Sequence, residues 1–117
     1  MRKLSRVLFT VAFGVTLAAG AQALAAQGGS AEKGKQLYTT QKCAMCHSIG
    51  DAGNKKGPLD GVGTKLKAEE IRQWMLSPNV MAEKTKSTRK PAMASYTKLP
   101  KDDLESIIAY MQTLKKS

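Results

Sequence analysis

The sequence is poor in the side chains from which metal sites and disulfide-rich folds are usually built. It has one histidine and two cysteines in 117 residues, which excludes a multi-disulfide scaffold and leaves a four-ligand zinc site of Cys and His incomplete. Aromatic residues make up only 5% of the chain, and both phenylalanines, Phe9 and Phe13, lie near its start. A small domain with so little apolar bulk is marginally stable, and we expect a large apolar cofactor to fill part of its interior.

The sequence also lacks an apolar run of the roughly 20 residues that a membrane-spanning helix needs. Its longest run, from Val7 to about Ala19, follows three basic residues and precedes a stretch of small residues. This pattern is typical of a secretory signal peptide cleaved after Ala25. An uncleaved membrane anchor is the alternative, which the short run disfavours. We therefore predict a removed signal peptide over residues 1–25, one domain over residues 26–117, and export to the periplasm.

Acidic residues are scarce, with nine Asp and Glu against nineteen Lys and Arg. Residues 26–117 keep sixteen of these basic residues and have a net charge of +7. A basic surface favours acidic proteins, anionic membrane faces or nucleic acid as partners. Export and the absence of a recognition motif argue against nucleic acid. We expect acidic redox proteins as partners, with peripheral association with a membrane complex as a further option.

The two cysteines and the histidine are neighbours in the motif Cys43-Ala44-Met45-Cys46-His47. This spacing is the attachment signature of c-type haem, in which each thiol adds to one vinyl group and the imidazole binds the iron. A zinc site lacks a fourth ligand, and a redox dithiol needs a preceding strand that is not predicted. A plain disulfide leaves His47 without a role. We therefore predict one haem c, bound covalently through Cys43 and Cys46, with His47 as an iron ligand.

The pattern of apolar residues predicts an all-α fold. Helices are expected at about Ala31–Thr40, with Ser30 as the N-cap, and at about Ala68–Leu76, ended by Ser77 and Pro78. A third helix is expected from about Pro100, with Asp102 and Asp103 in its first turn and Lys115 and Lys116 at its end. Its apolar stripe is Leu104, Ile107, Ile108, Met111 and Leu114. Residues 48–64 read as a glycine-rich loop, residues 79–98 read as irregular, and no strand is expected.

A second axial ligand has to come from another part of the chain, and with one histidine it cannot be an imidazole. The candidates in the domain are Met45, Met75, Met81, Met93 and Met111. Met45 lies inside the attachment motif, and Met75 and Met111 lie on apolar helix faces, where packing is the simpler role. Met93 and Met81 lie in segments read as irregular. We favour Met93, with Met81 and an open sixth position as alternatives.

Four features together resemble the class I cytochrome c family over almost all of residues 26–117. They are Gly34 with Tyr38, Ile107 with Tyr110, Gly57-Pro58-Leu59, and Met93-Ala94-Ser95-Tyr96-Thr97-Lys98-Leu99. The resemblance implies a small helical fold wrapped around one haem, with Gly34 and Tyr38 packed against the last helix. It also implies that the Pro58 carbonyl accepts a hydrogen bond from His47 and that Met93 is the sixth iron ligand.

Two aromatic residues each allow two interpretations. Trp74 is similar to a family position near a haem propionate, although it is equally an ordinary core residue of its helix. Tyr96 either covers the haem edge or packs without touching the cofactor.

The expected function is single-electron transfer without catalytic turnover. A His and Met pair favours ferrous iron and leaves no open position for a substrate. The chain also has no nucleotide-binding glycine pattern and no second cluster of titratable residues. We expect a monomeric periplasmic shuttle, with a haem-bearing subunit of a larger enzyme or a sensor as the alternative. The basic residues Lys84, Lys86, Arg89 and Lys90 precede Met93 and either steer an acidic partner or form a solvated loop.

Overall fold

Five α-helices provide the framework of the part of the chain that the computed structural model describes, which is residues 29–116 together with Gly14. The helices are α1 (Ala31–Thr40), α2 (Val62–Lys65), α3 (Ala68–Leu76), α4 (Pro78–Thr85) and α5 (Lys101–Thr113). The all-α prediction is confirmed, and the bounds expected for α1 and α3 are those observed. Apart from Gly14, the segment read as a signal peptide lies outside the described residues.

Helix α4 corrects the expectation that residues 79–98 are irregular. Pro78 is the first residue of α4, where its fixed φ suits a helix and its missing N–H costs no hydrogen bond. The same proline that ends α3 therefore begins the next helix. Apart from Pro78, α4 buries only Met81, and a single buried side chain leaves no periodic apolar pattern to detect in the sequence.

A short hairpin corrects the expectation that the chain has no strand. Strands β1 (Ser48–Ile49) and β2 (Ala52–Gly53) pair antiparallel, with Ser48 opposite Gly53 and Ile49 opposite Ala52. The connecting turn begins at Gly50, whose φ of +58° lies in the left-handed region that glycine adopts without steric cost. Strands of two residues are too short to show the alternation by which strands are recognised in a sequence.

Helices α1 and α5 approach each other so closely that a glycine is required at the contact. A Cβ atom added at Gly34 would lie 2.8 Å from the Cβ of Tyr110 and closer still to the carbonyl of Ser106, which is fully buried. Beside this contact the rings of Tyr38 and Tyr110 meet edge to face, with centroids 6.0 Å apart. The packing of Gly34 and Tyr38 against the last helix is the arrangement that the resemblance implies.

The core lies among α1, α3 and α5. Its buried apolar residues are Tyr38, Ile71, Met75, Leu104, Ile107, Ile108 and Met111. At the rim, Arg72 of α3 donates two hydrogen bonds of 2.8 Å to the carboxylate of Glu105 on α5. Four of the five stripe residues predicted for α5 are buried, whereas Leu114 is the C-cap. Because α5 ends at Thr113, Lys115 and Lys116 follow the helix rather than forming its last turn.

We predict that Gly34→Ala lowers the free energy of unfolding by about 1–3 kcal/mol, because the new methyl group forces α1 away from α5. Chemical denaturation of the purified protein measures this loss. Lys35→Ala is the matched control, since Lys35 is exposed on the same helix and should change stability by less than about 0.5 kcal/mol. A Gly34→Ala variant as stable as the wild type would contradict the close helix contact.

Candidate functional site

The Cys43–His47 motif folds as a tight turn that follows α1. Lys42 adopts a left-handed conformation with φ of +56° and redirects the chain into a 3₁₀ helix over Cys43–Met45. The carbonyl of Cys43 accepts hydrogen bonds from the N–H groups of Cys46, at 3.1 Å, and of His47, at 2.9 Å. This one carbonyl therefore holds both cysteines and the histidine on a single turn of backbone.

The motif forms part of the wall of a cavity of about 950 Å³, a volume that includes space open to solvent. Most of the lining side chains are apolar and come from α1, α3, α5 and the segment before α5. The lining residues are Tyr38, Lys42, Cys43, Cys46, His47, Leu59, Val62, Leu66, Ile71, Trp74, Met75, Ala92, Met93, Ala94, Tyr96, Ile107 and Met111.

The imidazole of His47 is oriented by a backbone carbonyl. Its Nδ1 atom lies 3.0 Å from the oxygen of Gly57. Since a carbonyl can only accept, Nδ1 carries the proton and Nε2 keeps its lone pair. Burial lowers the pKa of His47, the bond to Gly57 opposes that change, and the nearby charge of Arg89 lowers the pKa further. A neutral imidazole with a free Nε2 is the form that binds a metal.

The accepting carbonyl belongs to Gly57 and not to Pro58, which corrects the expectation from the resemblance. Ser48 pairs with Pro58 in a parallel bridge, in which Ser48 N–H donates to Gly57 O at 3.1 Å and Leu59 N–H donates to Ser48 O at 2.8 Å. Successive carbonyls of an extended chain point to opposite sides, so the Gly57 oxygen faces the motif and the Pro58 oxygen faces away. Pro58 itself is exposed and is not among the lining residues of the cavity.

Cys43 and Cys46 are free thiols that face the same cavity. Burial raises the pKa of Cys43, which disfavours the thiolate that a redox dithiol of the thioredoxin type requires. Within residues 29–116, no three His, Cys, Asp or Glu side chains are grouped so as to hold a metal ion by themselves. The donor set fits haem instead: two thiols and one neutral imidazole at the wall of a largely apolar cavity.

The methionines differ in their relation to the cavity. Met93, Met75 and Met111 line it, and the latter two are buried on α3 and α5. Met81 is buried on α4 but is not among the lining residues, and Met45 is 70% exposed. Met93, the residue favoured from the sequence, therefore shares the cavity with His47, whereas the alternative Met81 does not.

The segment that carries Met93 is fixed to the end of α3. The N–H of Tyr96 donates to the carbonyl of Met75 at 2.8 Å, and the hydroxyl of Ser95 donates to the carbonyl of Leu76 at 3.1 Å. The last carbonyls of a helix have no partner within the helix, and here the irregular segment supplies partners for two of them. Met93 is thereby held beside the cavity without belonging to a helix or a strand.

Trp74 and Tyr96 are half-buried and both line the cavity. Burial raises the pKa of Tyr96, and the neighbouring Cys43 and Cys46 raise it further. Tyr96 therefore remains a neutral phenol at physiological pH. The propionate contact of Trp74 and the edge-covering role of Tyr96 remain predictions.

Two residues near His47 carried no recognisable signal in the sequence. Asn54 closes the loop after the motif, because its N–H donates to His47 O at 2.9 Å and its side-chain amide donates to Met45 O at 3.1 Å. Arg89 donates a hydrogen bond to Cys46 O, although the sequence suggested only a surface charge. The Arg89 contact joins residues 43 positions apart, so no local spacing could have indicated it. The Asn54 contacts lie within one irregular loop, which has no periodic pattern to reveal them.

Comparison with known proteins gives one family match. A family model described as cytochrome c matches residues 31–115. The chain is also 24% identical over 94 residues to a protein named cytochrome c oxidase subunit 2, from Alkalihalophilus pseudofirmus. That alignment covers 73% of this chain and 26% of the relative, so the chain spans about a quarter of the length of that protein. No solved structure gives a significant match.

One further observation concerns the membrane. Among residues 29–116, no helix combines the length and the apolar character needed to cross a bilayer.

Proposed function

This chain belongs to the cytochrome c family, as a class I c-type cytochrome, and we propose that it carries single electrons in the periplasm by means of one covalently held haem. The observation that carries the proposal is the shared cavity. Two free thiols, an imidazole with a free Nε2 and the sulfur-bearing side chain of Met93 all line it. Bound there, haem would supply an iron that changes between the ferric and ferrous states.

Each residue of the site has a separate task in this proposal. Cys43 and Cys46 would hold the haem through thioether bonds to its two vinyl groups, and His47 would present Nε2 to the iron while Gly57 O holds Nδ1. Met93 offers its thioether sulfur as the second axial ligand, with the hydrogen bond from Tyr96 to α3 fixing the segment. Trp74 and Tyr96 line the cavity and would contact the cofactor from its wall.

The ligand set favours electron transfer over catalysis. A Met and His pair raises the potential of haem. With His47 and Met93 as the two axial ligands, a bound haem would have no open position where a substrate could bind the iron. If both ligands stayed in place in the two oxidation states, little reorganisation would accompany the gain or loss of an electron.

The proposed partners are inferred from the positive charge of the chain and its expected export. We infer that residues 1–25 are removed as a signal peptide and that residues 26–117 act in the periplasm as a monomer. The exposed lysines Lys84, Lys86 and Lys90 precede the Met93 segment, and cations of this kind raise the association rate with an acidic partner. The partners are then acidic redox proteins, such as an oxidase, a reductase or a quinol-oxidising complex.

The relative named cytochrome c oxidase subunit 2 favours one alternative, in which this chain is a haem-bearing part of a larger oxidase. Size-exclusion chromatography of the protein from its native membrane and soluble fractions distinguishes the two cases. A shuttle elutes as a free monomer from the soluble fraction, whereas a subunit remains with its complex.

We predict that the exported protein, produced in a host that matures c-type cytochromes, begins at Ala26 and carries the added mass of one haem. Intact-mass measurement tests both points, and Cys43→Ser with Cys46→Ser is the control that should lack the covalent group. The reduced protein should not bind carbon monoxide, since both axial positions are filled. An exported chain without a covalently added macrocycle would contradict the proposed function.

We predict that Met93→Ala abolishes the red charge-transfer band of a methionine–ferric iron bond and allows the ferrous protein to bind carbon monoxide. The reason is that Met93 is the methionine that lines the cavity from the irregular segment before α5, and its sulfur is the proposed ligand. Met81→Ala is the matched control, because Met81 is buried outside the cavity lining, and it should retain the band at lower stability. If the band survives in Met93→Ala and disappears in Met81→Ala, the axial ligand has been assigned to the wrong residue.

We predict that the electron-transfer rate constant with an acidic redox protein falls about tenfold or more between roughly 0.01 and 1 M salt. Stopped-flow measurement at several ionic strengths tests this expectation. A neutral small-molecule reductant is the control and should show a nearly constant rate. An equally flat response with the acidic protein would remove the steering role of the lysines.

A further inference from the structure

Arg89 lies where the two halves of the site meet. It is half-buried, in the segment between α4 and Met93, and its guanidinium donates a hydrogen bond to Cys46 O. The same guanidinium fills the space in which a Cβ atom at Gly57 would stand. One side chain therefore contacts both pieces of backbone that hold His47, the attachment turn and the loop that supplies the Gly57 carbonyl.

The contact is specific to the shape of an arginine. A guanidinium presents several N–H groups in a flat, rigid arrangement, whereas a lysine ammonium is a compact point donor on a flexible stem. In this chain the flat group donates to Cys46 O while lying against the α-carbon of Gly57. A Cβ atom at position 57 would overlap the carbonyl oxygen of Cys46 as well as the guanidinium, so the close approach of these groups requires glycine there.

The charge of Arg89 is not neutralised by an ion pair within residues 29–116, where the acidic partners found belong to Lys33, Lys55 and Arg72. A fixed positive charge beside the histidine opposes the extra positive charge of ferric iron. Its electrostatic effect is therefore to favour the ferrous form, in the same direction as a methionine ligand.

We propose that Arg89 is a positioning residue for both axial ligands, which ties the segment carrying Met93 to the backbone around His47. Only the effect of this link on the haem depends on the proposed function. Its direct consequence concerns the backbone, since the hydrogen bonds of Ser48, Asn54 and Leu59 close the loop that Arg89 covers.

The experiment compares Arg89→Gln, Arg89→Lys and the control Lys84→Gln with the wild-type holoprotein. Lys84→Gln removes the same charge from an exposed position on α4. Amide hydrogen exchange of Ser48, Asn54 and Leu59 should be at least tenfold faster in Arg89→Gln, intermediate in Arg89→Lys and unchanged in Lys84→Gln. If the Arg89→Gln protein does not acquire its haem, Arg89→Lys still allows the comparison with the wild type.

Two readouts of the haem complete the test. Arg89→Gln should lower the midpoint potential and weaken the methionine–iron band. Arg89→Lys should lose part of the band but show a smaller fall in the midpoint potential. Exchange rates, band and potential that match those of Lys84→Gln would overturn the proposal, as would a lower melting temperature with all three unchanged. A wild-type protein without a methionine band would contradict the proposed ligand set, while the exchange rates still decide the role of Arg89.

Discussion

The hydrogen bond between His47 Nδ1 and Gly57 O is the interaction on which the site depends. It fixes the tautomer of the imidazole, sets the direction of Nε2, and links the attachment turn to the loop that follows it. The same oxygen also accepts the N–H of Ser48. This one buried carbonyl oxygen therefore accepts two hydrogen bonds, one that holds the backbone and one that orients the imidazole.

The helical framework explains why a domain of this size leaves room for a cofactor. α1 and α5 pack closely through Gly34, and α3 adds Ile71 and Met75 to the same core. Several core residues therefore also face the cavity, as Met75 and Met111 do. In the family this space takes a covalently attached haem, which supplies apolar surface that the few aromatic residues of the chain cannot provide.

The two walls of the site come from distant parts of the chain and meet through polar contacts. On one side, Tyr96 and Ser95 satisfy the last carbonyls of α3 and hold the Met93 segment. On the other, Arg89 reaches back to Cys46 O. These contacts satisfy backbone groups that would otherwise be left without partners, which is why an irregular segment can keep a defined position beside the cavity.

The sequence alone determined the attachment motif, the helical class and the bounds of α1 and α3, because these rest on local spacing, capping and the periodic burial of side chains. It did not predict α4, whose one buried methionine leaves no pattern, nor the two-residue strands, which are too short to alternate. Only the tertiary structure decided that the carbonyl facing His47 belongs to Gly57 and that Arg89 contacts the motif. The first depends on the direction in which a backbone carbonyl points, and the second on a contact between residues far apart in the chain. No local pattern of side chains indicates either of them.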